Sequence, residues 1–286
     1  MRAVIVLFLL SLLALVCGAL FAYPAYWLIS LFATVEFGKI MVHLSSLSGF
    51  LLILAYLRCK YVLSWQIIGY QRSPGWRNDI LKGLAIGILI MLILEIVLFL
   101  LGIHRLEQEF GSIPLILLKA LITGLTVGLI EETLYRGALQ GALMKLSGTR
   151  TAILVSSLIY AAVHFLQFDT APSHTTIEWH TGLQMLPLLF SRFLDPNIIS
   201  TFFSLMAFGV FLSLVRQQKN TLYQCIGIHA GVVIAIKLIK KLTEVDPETS
   251  LSWLVSSNGQ ILGTLACIWL ILVILFYSVY IRCKIC

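Results

Sequence analysis

The stretch GLIEETLYRGALQGAL, residues 128–143, places Glu131, Glu132 and Arg136 in a chain otherwise built of Leu, Ile, Val and Phe. A charge at mid-bilayer depth costs about 2.5–3.5 kcal/mol on insertion scales. Three of them so close together therefore call for a purpose. Positions four apart lie about 40° apart around a helix, so Glu132 and Arg136 can pair. Glu131, five positions before Arg136, lies about 140° round from it and faces elsewhere. The spacing thus allows a buried Glu132–Arg136 ion pair and a separate carboxylate at Glu131 that could move protons in a low-dielectric site. A single structural network of all three charges is the other reading the spacing allows.

Two histidines stand inside apolar segments as well. SSLIYAAVHFLQF carries His164, with Tyr160 and Ser157 on its helix face, and TLYQCIGIHAGVVIAIK carries His229. Either alone could be a satisfied packing residue. Two of them with a spare glutamate, on three different helices, point to proton-transfer chemistry or to a polar relay. Counting rises along the helices puts Glu131 roughly 6 Å and His229 roughly 10 Å from the same membrane face. His164 lies roughly 20 Å from residue 151, so it reaches that level only if its helix begins outside the membrane or tilts.

The elements that must position these residues are membrane helices. The 286-residue chain is 59% hydrophobic and 12% charged, with mean hydropathy +0.98. A soluble protein carries about 25% charged residues. The apolar runs predict about eight spans: 3–22 (with apolar character running on towards 35), 40–57, 83–103, 114–135, 151–168, 197–215, 222–239 and 260–281. The expectation is an all-α polytopic transmembrane bundle. Three regions follow from the pattern: 1–79, with N-terminal helices and a basic loop; 80–240, the core holding the polar motifs; and 241–286, an outer loop and a last span. The first segment has the outline of a signal peptide, but without a small-x-small cleavage site it reads as an uncleaved anchor.

The net charge of +7 is explained by loop bias rather than by nucleic acid. With the N-terminus inside, the inner segments hold Arg58, Lys60, Arg72, Arg77, Lys82, Lys145, Arg150, Arg216 and Lys219 against one acid, Asp79. The positive-inside rule then sets both termini in the cytoplasm. The short loops suggest a prokaryotic inner membrane. WQIIGYQRSPGW, basic and aromatic, reads as an amphipathic stretch on the inner surface. The six cysteines show no metal-binding or disulfide spacing, and the terminal CKIC departs from a prenylation box at Lys284.

Taken in order, EETLYR matches an EExxxR motif, YAAVH is similar to FxxxH with Tyr in place of Phe, and IGIHAG looks like a final histidine motif. Together they resemble the CAAX prenyl endopeptidase and bacteriocin-processing (Abi, or CPBP) family of intramembrane proteases, over roughly residues 80–240. The resemblance implies an endopeptidase acting on a membrane-associated or lipidated protein or peptide. It implies Glu131 as general base, His164 as its partner in binding water and His229 facing the tetrahedral intermediate, with Glu132 and Arg136 holding the site. Many family members have Asn or Asp four residues after the last His, where this chain has Val233. A second oxyanion donor would then come from Tyr160, Tyr223 or Gln224.

Glu131, His164 and His229 could in principle hold a zinc ion with one open position. The HExxH signature is missing, and hydrolysis without a metal is the expectation. Two readings from other classes remain: a proton- or ion-coupled transporter, which should show inverted repeats that are not apparent here, and a catalytically inactive membrane scaffold. Two further groups stand apart. Glu95 and Lys119, both deep in apolar helices, are expected to pair. His174, Glu178 and His180 in SHTTIEWH have a spacing that could bind a metal on a helix face, with Trp179 as an interfacial anchor.

Overall fold

The apolar runs form helices wherever they are long enough to satisfy every backbone group internally, as a bilayer requires. The computed structural model describes residues 2–60, 64–71, 73–109, 111–166, 177–256 and 261–285. The helices are α1 (Arg2–Ser30), α2 (Phe37–Cys59), α3 (Trp65–Ile68), α4 (Trp76–Leu100), α5 (Ile113–Glu132), α6 (Gln140–Ser147), α7 (Thr149–Val163), α8 (Thr181–Met185), α9 (Ile199–Lys219), α10 (Tyr223–Leu242) and α11 (Thr264–Ile285). A π-helical segment, Thr133–Leu139, joins α5 to α6 without a break, and 3₁₀ turns lie at Leu186–Leu194 and Pro196–Ile198. The single departure from an all-helical plan among the described residues is a short ribbon, β1 (His104–Leu106) paired antiparallel with β2 (Thr243–Val245).

Six of these rods are long and apolar enough to cross a membrane: Ile5–Ser30, Phe37–Cys59, Trp76–Leu100, Ile113–Ser147, Pro196–Lys219 and Thr264–Cys283. The polytopic helical bundle is therefore present, and the count of eight spans is approximate. The two remaining expected spans are α7 and α10. With 15 residues, α7 reaches only about 22 Å, short of a ~30 Å hydrocarbon core. In α10, Lys237, Lys240 and Lys241 occupy the final turns. Leu89, Leu92 and Ile96 of α4 and Leu118, Ile122 and Leu129 of α5 are exposed on the outer faces of the bundle. That is the surface lipid chains cover, and the chain is an integral membrane protein.

The fourth rod is longer than its sequence pattern suggested. It continues through the π segment to Ser147, 35 residues from Ile113, or about 50 Å. It turns at Gly148, which takes φ +84°, and α7 runs back alongside it. Glu131 lies sixteen residues before Ser147 and His164 fifteen after Thr149. The two arms of this hairpin are therefore nearly equal, and they bring the histidine back to the level of the glutamate. The 20 Å depth mismatch is resolved because α7 starts at the far end of the α5–α6 rod, past Ser147, sixteen residues beyond Glu131.

At the centre, α10 lies between α4 and α5. Contact is close because glycines face one another. A Cβ on Gly83 would sit 2.4 Å from the Gln224 carbonyl, on Gly87 2.2 Å from that of Ile228, and on Gly227 2.2 Å from that of Ile80. Gly124 and Gly128 of α5 approach Ala230 in the same way. Such small-residue seams let membrane helices pack backbone to backbone. They also fix the axial position of His229, which lies between Gly227 and Gly231. At the far ends of α4 and α10, which run parallel, the β1–β2 ribbon ties the two helices together.

The ribbon also corrects the expected Glu95–Lys119 pair. Glu95 instead takes His104, whose Nδ1 lies 2.9 and 3.1 Å from its two carboxylate oxygens, both residues being buried. Lys119 lies on an exposed face of α5. The reason is geometric: the turn at Gly102, φ +65°, folds His104 back onto the α4 face that carries Glu95, whereas Lys119 points away from it. Gly87→Val should lower the melting temperature of the detergent-solubilised protein by several degrees or abolish folded yield. The branched side chain would drive α4 and α10 apart at an overpacking cost of about 1–3 kcal/mol. Size-exclusion and thermal-unfolding measurements check this.

Candidate active site

Glu132 is fully buried and organises the site. Its Oε1 lies 2.8 Å from His229 Nδ1 and 3.2 Å from Arg136 Nη1. The carboxylate thus sits between a guanidinium on its own rod and an imidazole on α10. Arg136, also with no exposed surface, donates from Nη2 to the Gly209 carbonyl of α9 at 3.3 Å. Its guanidinium carbon lies 4.3 Å above the Tyr160 ring. One turn on, the buried Gln140 donates to the Ser213 carbonyl at 3.1 Å. Glu132, Arg136 and Gln140 keep to one face because the wider π turn cancels part of the drift that α geometry gives residues four apart.

Glu131, next in sequence, faces a different space. Its Oε2 lies 3.8 Å from His229 Nε2 and 4.0 Å from His164 Nε2. Its side chain retains about a quarter of its exposure and that of His164 about a third, while His229 is closed off. The tautomers follow from the partners. His164 Nδ1 lies 2.7 Å from the Tyr160 carbonyl and His229 Nδ1 faces the Glu132 carboxylate. Both partners accept only, so both Nδ1 atoms carry the proton. In the neutral rings the two Nε2 atoms then present lone pairs toward Glu131 Oε2, itself a buried oxygen with no hydrogen-bond partner among the described residues.

Two imidazole nitrogens standing 3.8 and 4.0 Å from one carboxylate oxygen suit a shared water. A tetrahedral zinc with bonds near 2.1 Å would hold its donors about 3.4 Å apart. The donor chemistry is right for zinc, but the spacing is wider than zinc needs, and no group of three or more His, Cys, Asp or Glu among the described residues is arranged to hold a metal. For the outer group, His180 Nδ1 lies 3.4 Å from Glu178 Oε2 on an exposed loop, while His174 lies outside the described residues.

Aromatic rings wall the site. Tyr160 packs edge-on against His164 (centroids 4.6 Å), Tyr135 (5.3 Å) and His229 (6.0 Å), and Phe208 packs edge-on against His229 at 5.5 Å. Below the Glu132 turn, the Tyr70 hydroxyl meets Thr133 Oγ1 at 2.5 Å. Thr133 gives its proton to the Leu129 carbonyl, so Tyr70 is the donor. Burial raises the Tyr70 phenol above its ordinary value, which keeps that proton in place. Tyr70 is held by the segment after α3: Leu222 N donates to the Gly69 carbonyl at 3.1 Å, and the Arg216 guanidinium donates to the Ile67 carbonyl at 2.8 Å.

The five residues singled out in the sequence, Glu131, Glu132, Arg136, His164 and His229, thus lie in one cluster. The link from Glu132 to His229 joins charges two helices apart and could not be read from spacing along one helix. Gln140 was overlooked, though it continues the same four-residue interval from Glu132 and Arg136. Tyr135 and Tyr70 carried no pattern that set them apart from other aromatics.

A family model described as type II CAAX prenyl endopeptidase Rce1-like matches residues 113–235. These residues are similar to that family's domain. The domain runs from the start of α5 through most of α10, and so contains every residue of the polar cluster. The family so described is one of CAAX prenyl endopeptidases. No curated protein and no solved structure matches the chain.

Glu132→Gln should be costly to the fold, because it leaves Arg136 buried without its counter-charge, a loss of about 3–5 kcal/mol for a buried pair. Glu131→Gln should leave the melting temperature within a degree or two. Thermal unfolding of both variants in one detergent separates the two adjacent glutamates.

Proposed function

We propose that the chain is an intramembrane endopeptidase that cleaves a peptide bond in a membrane-associated, lipidated protein or peptide, using a water activated by Glu131. The observation that carries this reading is the convergence of Glu131 Oε2 with His164 Nε2 and His229 Nε2 at 3.8–4.0 Å inside the Rce1-like domain. Glu131 takes a proton from water as the oxygen attacks the scissile carbonyl, and later returns it to the leaving amine. His164, its ring fixed by the Tyr160 carbonyl, orients that water through Nε2.

His229 acts on the intermediate. It donates from Nε2 to a developing oxyanion only when both ring nitrogens are protonated. The Glu132 carboxylate at 2.8 Å from Nδ1 fixes the ring so that Nε2 faces the reaction space, with Arg136 offsetting that carboxylate's charge. A low-dielectric surround strengthens each of these contacts. No step is routed through a metal, because the donor spacing is wider than zinc requires. The orientation we adopt follows the loop charges: the α4 and α10 starting ends, and both termini, face a prokaryotic cytoplasm. The cleaved bond then lies in the inner half of the bilayer.

Membranes carrying the native protein should yield new peptide termini, read by mass spectrometry, that vanish in Glu131→Gln. Termini identical in both would overturn the catalytic role, and a partner retained equally by both forms would favour a scaffold. Cleavage of a farnesylated CAAX peptide by the purified protein should persist in a chelator. Loss that zinc restores would overturn the metal-free step.

A further inference from the structure

The site as described is rich in acceptors and short of donors. Each imidazole gives its Nδ1 proton to a group outside the reaction space, and Glu131 offers oxygen. A tetrahedral intermediate needs donors aimed at its oxyanion, and His229 is one at most. Of the three side chains that could supply a second, two are placed elsewhere. The Tyr223 hydroxyl donates to the Gln71 carbonyl at 3.3 Å, and its ring packs edge-on against Tyr70 and tilted against Trp76 at the beginning of α10. Gln224, five residues before His229, lies about 140° round α10 from it, and its backbone forms part of the Gly83 seam.

Tyr160 is the third. It is 98% buried and packs against both histidines. Its ring is held from above by Arg136 and from the side by Tyr135. Its hydroxyl takes no part in the hydrogen bonds that hold Glu132, Arg136, His164 and His229 together among the described residues. Its ring lies between the two imidazoles that face Glu131, with centroids 4.6 Å from His164 and 6.0 Å from His229.

We infer that Tyr160 is a catalytic residue, its hydroxyl donating a hydrogen bond to the oxyanion of the tetrahedral intermediate opposite His229. This role rests on the peptidase reading above. As the water oxygen bonds to the carbonyl carbon, the π pair moves onto the carbonyl oxygen and the water proton passes to Glu131. Tyr160 keeps its own proton throughout and shares it with that oxygen. On collapse the C–N bond breaks, the oxyanion pair re-forms the carbonyl, and Glu131 protonates the amine.

The test compares the native protein with Tyr160→Phe, Tyr135→Phe and Glu131→Gln on a farnesylated CAAX peptide. Binding of the matching phosphonate analogue, whose P–O⁻ stands for the oxyanion, is measured in parallel. Tyr160→Phe keeps the ring and its packing, so its melting temperature should not change. Its kcat should fall about 10²-fold, the usual loss of one oxyanion donor, with KM within about threefold. Phosphonate affinity should fall with kcat, whereas binding of the intact peptide to a Glu131→Gln background should be unaffected. Native rates in Tyr160→Phe, or an equal loss in Tyr135→Phe, would overturn the proposal while leaving the peptidase reading intact. Native protein that neither cleaves the peptide nor binds the phosphonate would overturn that reading, and with it this role.

Discussion

A carboxylate with no exposed surface, inside a bundle whose outer faces are Leu and Ile, is the constraint on which the rest depends. Glu132 could not stay charged there alone. Arg136 balances it within the same rod, and His229 reaches it from α10. Each partner is then committed in turn: Arg136 to the Gly209 carbonyl and the Tyr160 face, His229 to a single tautomer. One buried charge thereby fixes the relative positions of α5, α7, α9 and α10. The π segment that follows Glu132 belongs to the same solution, since it keeps the polar residues on the side where partners exist.

Electrostatics alone would not hold α10 at the depth this geometry requires. Depth is set by the glycines. Lipid gives helices no hydrophobic reason to associate, so close van der Waals contact between backbones must supply one. The pairs Gly83/Gly87 and Gly227/Gly231 provide it on α4 and α10, and His229 lies midway between the second pair. The ribbon of His104–Leu106 with Thr243–Val245 adds a second tie at the far ends. A helix clamped at several levels cannot slide, and a residue on it can be placed to a fraction of an ångström.

The bundle and its polar cluster were legible in the sequence because charge inside an apolar run is costly and therefore informative. Glu131, Glu132, Arg136, His164 and His229 stand out on that ground in the sequence alone. Span ends were harder to read. Hydropathy reports where a helix is greasy, and GALMKLSG gives no reason to expect that the α5 rod continues to Ser147. The equal arms of the Gly148 hairpin, which bring His164 level with Glu131, were hidden for that reason. Glu95 illustrates a different limit. Lys119 is a reasonable partner by depth, but depth says nothing about azimuth, and the turn at Gly102 brings in His104 instead. The facing glycine pairs are spaced four apart and were readable in principle, though only as a seam of unspecified partner.

Two adjacent glutamates with the same chemistry reach different ends because successive helix positions point about 100° apart. Glu132 turns into the packed interior, where a cation and an imidazole meet it within 3.2 Å. Glu131 turns toward the partly open space between α7 and α10, where acceptors stand off at 3.8–4.0 Å. A carboxylate satisfied by fixed protein partners is poor at exchanging protons, since any proton it gains costs an established contact. One left facing lone pairs across a water-sized gap has no such contact to lose. Environment, rather than residue type, therefore separates a glutamate that builds the site from one positioned to work in it.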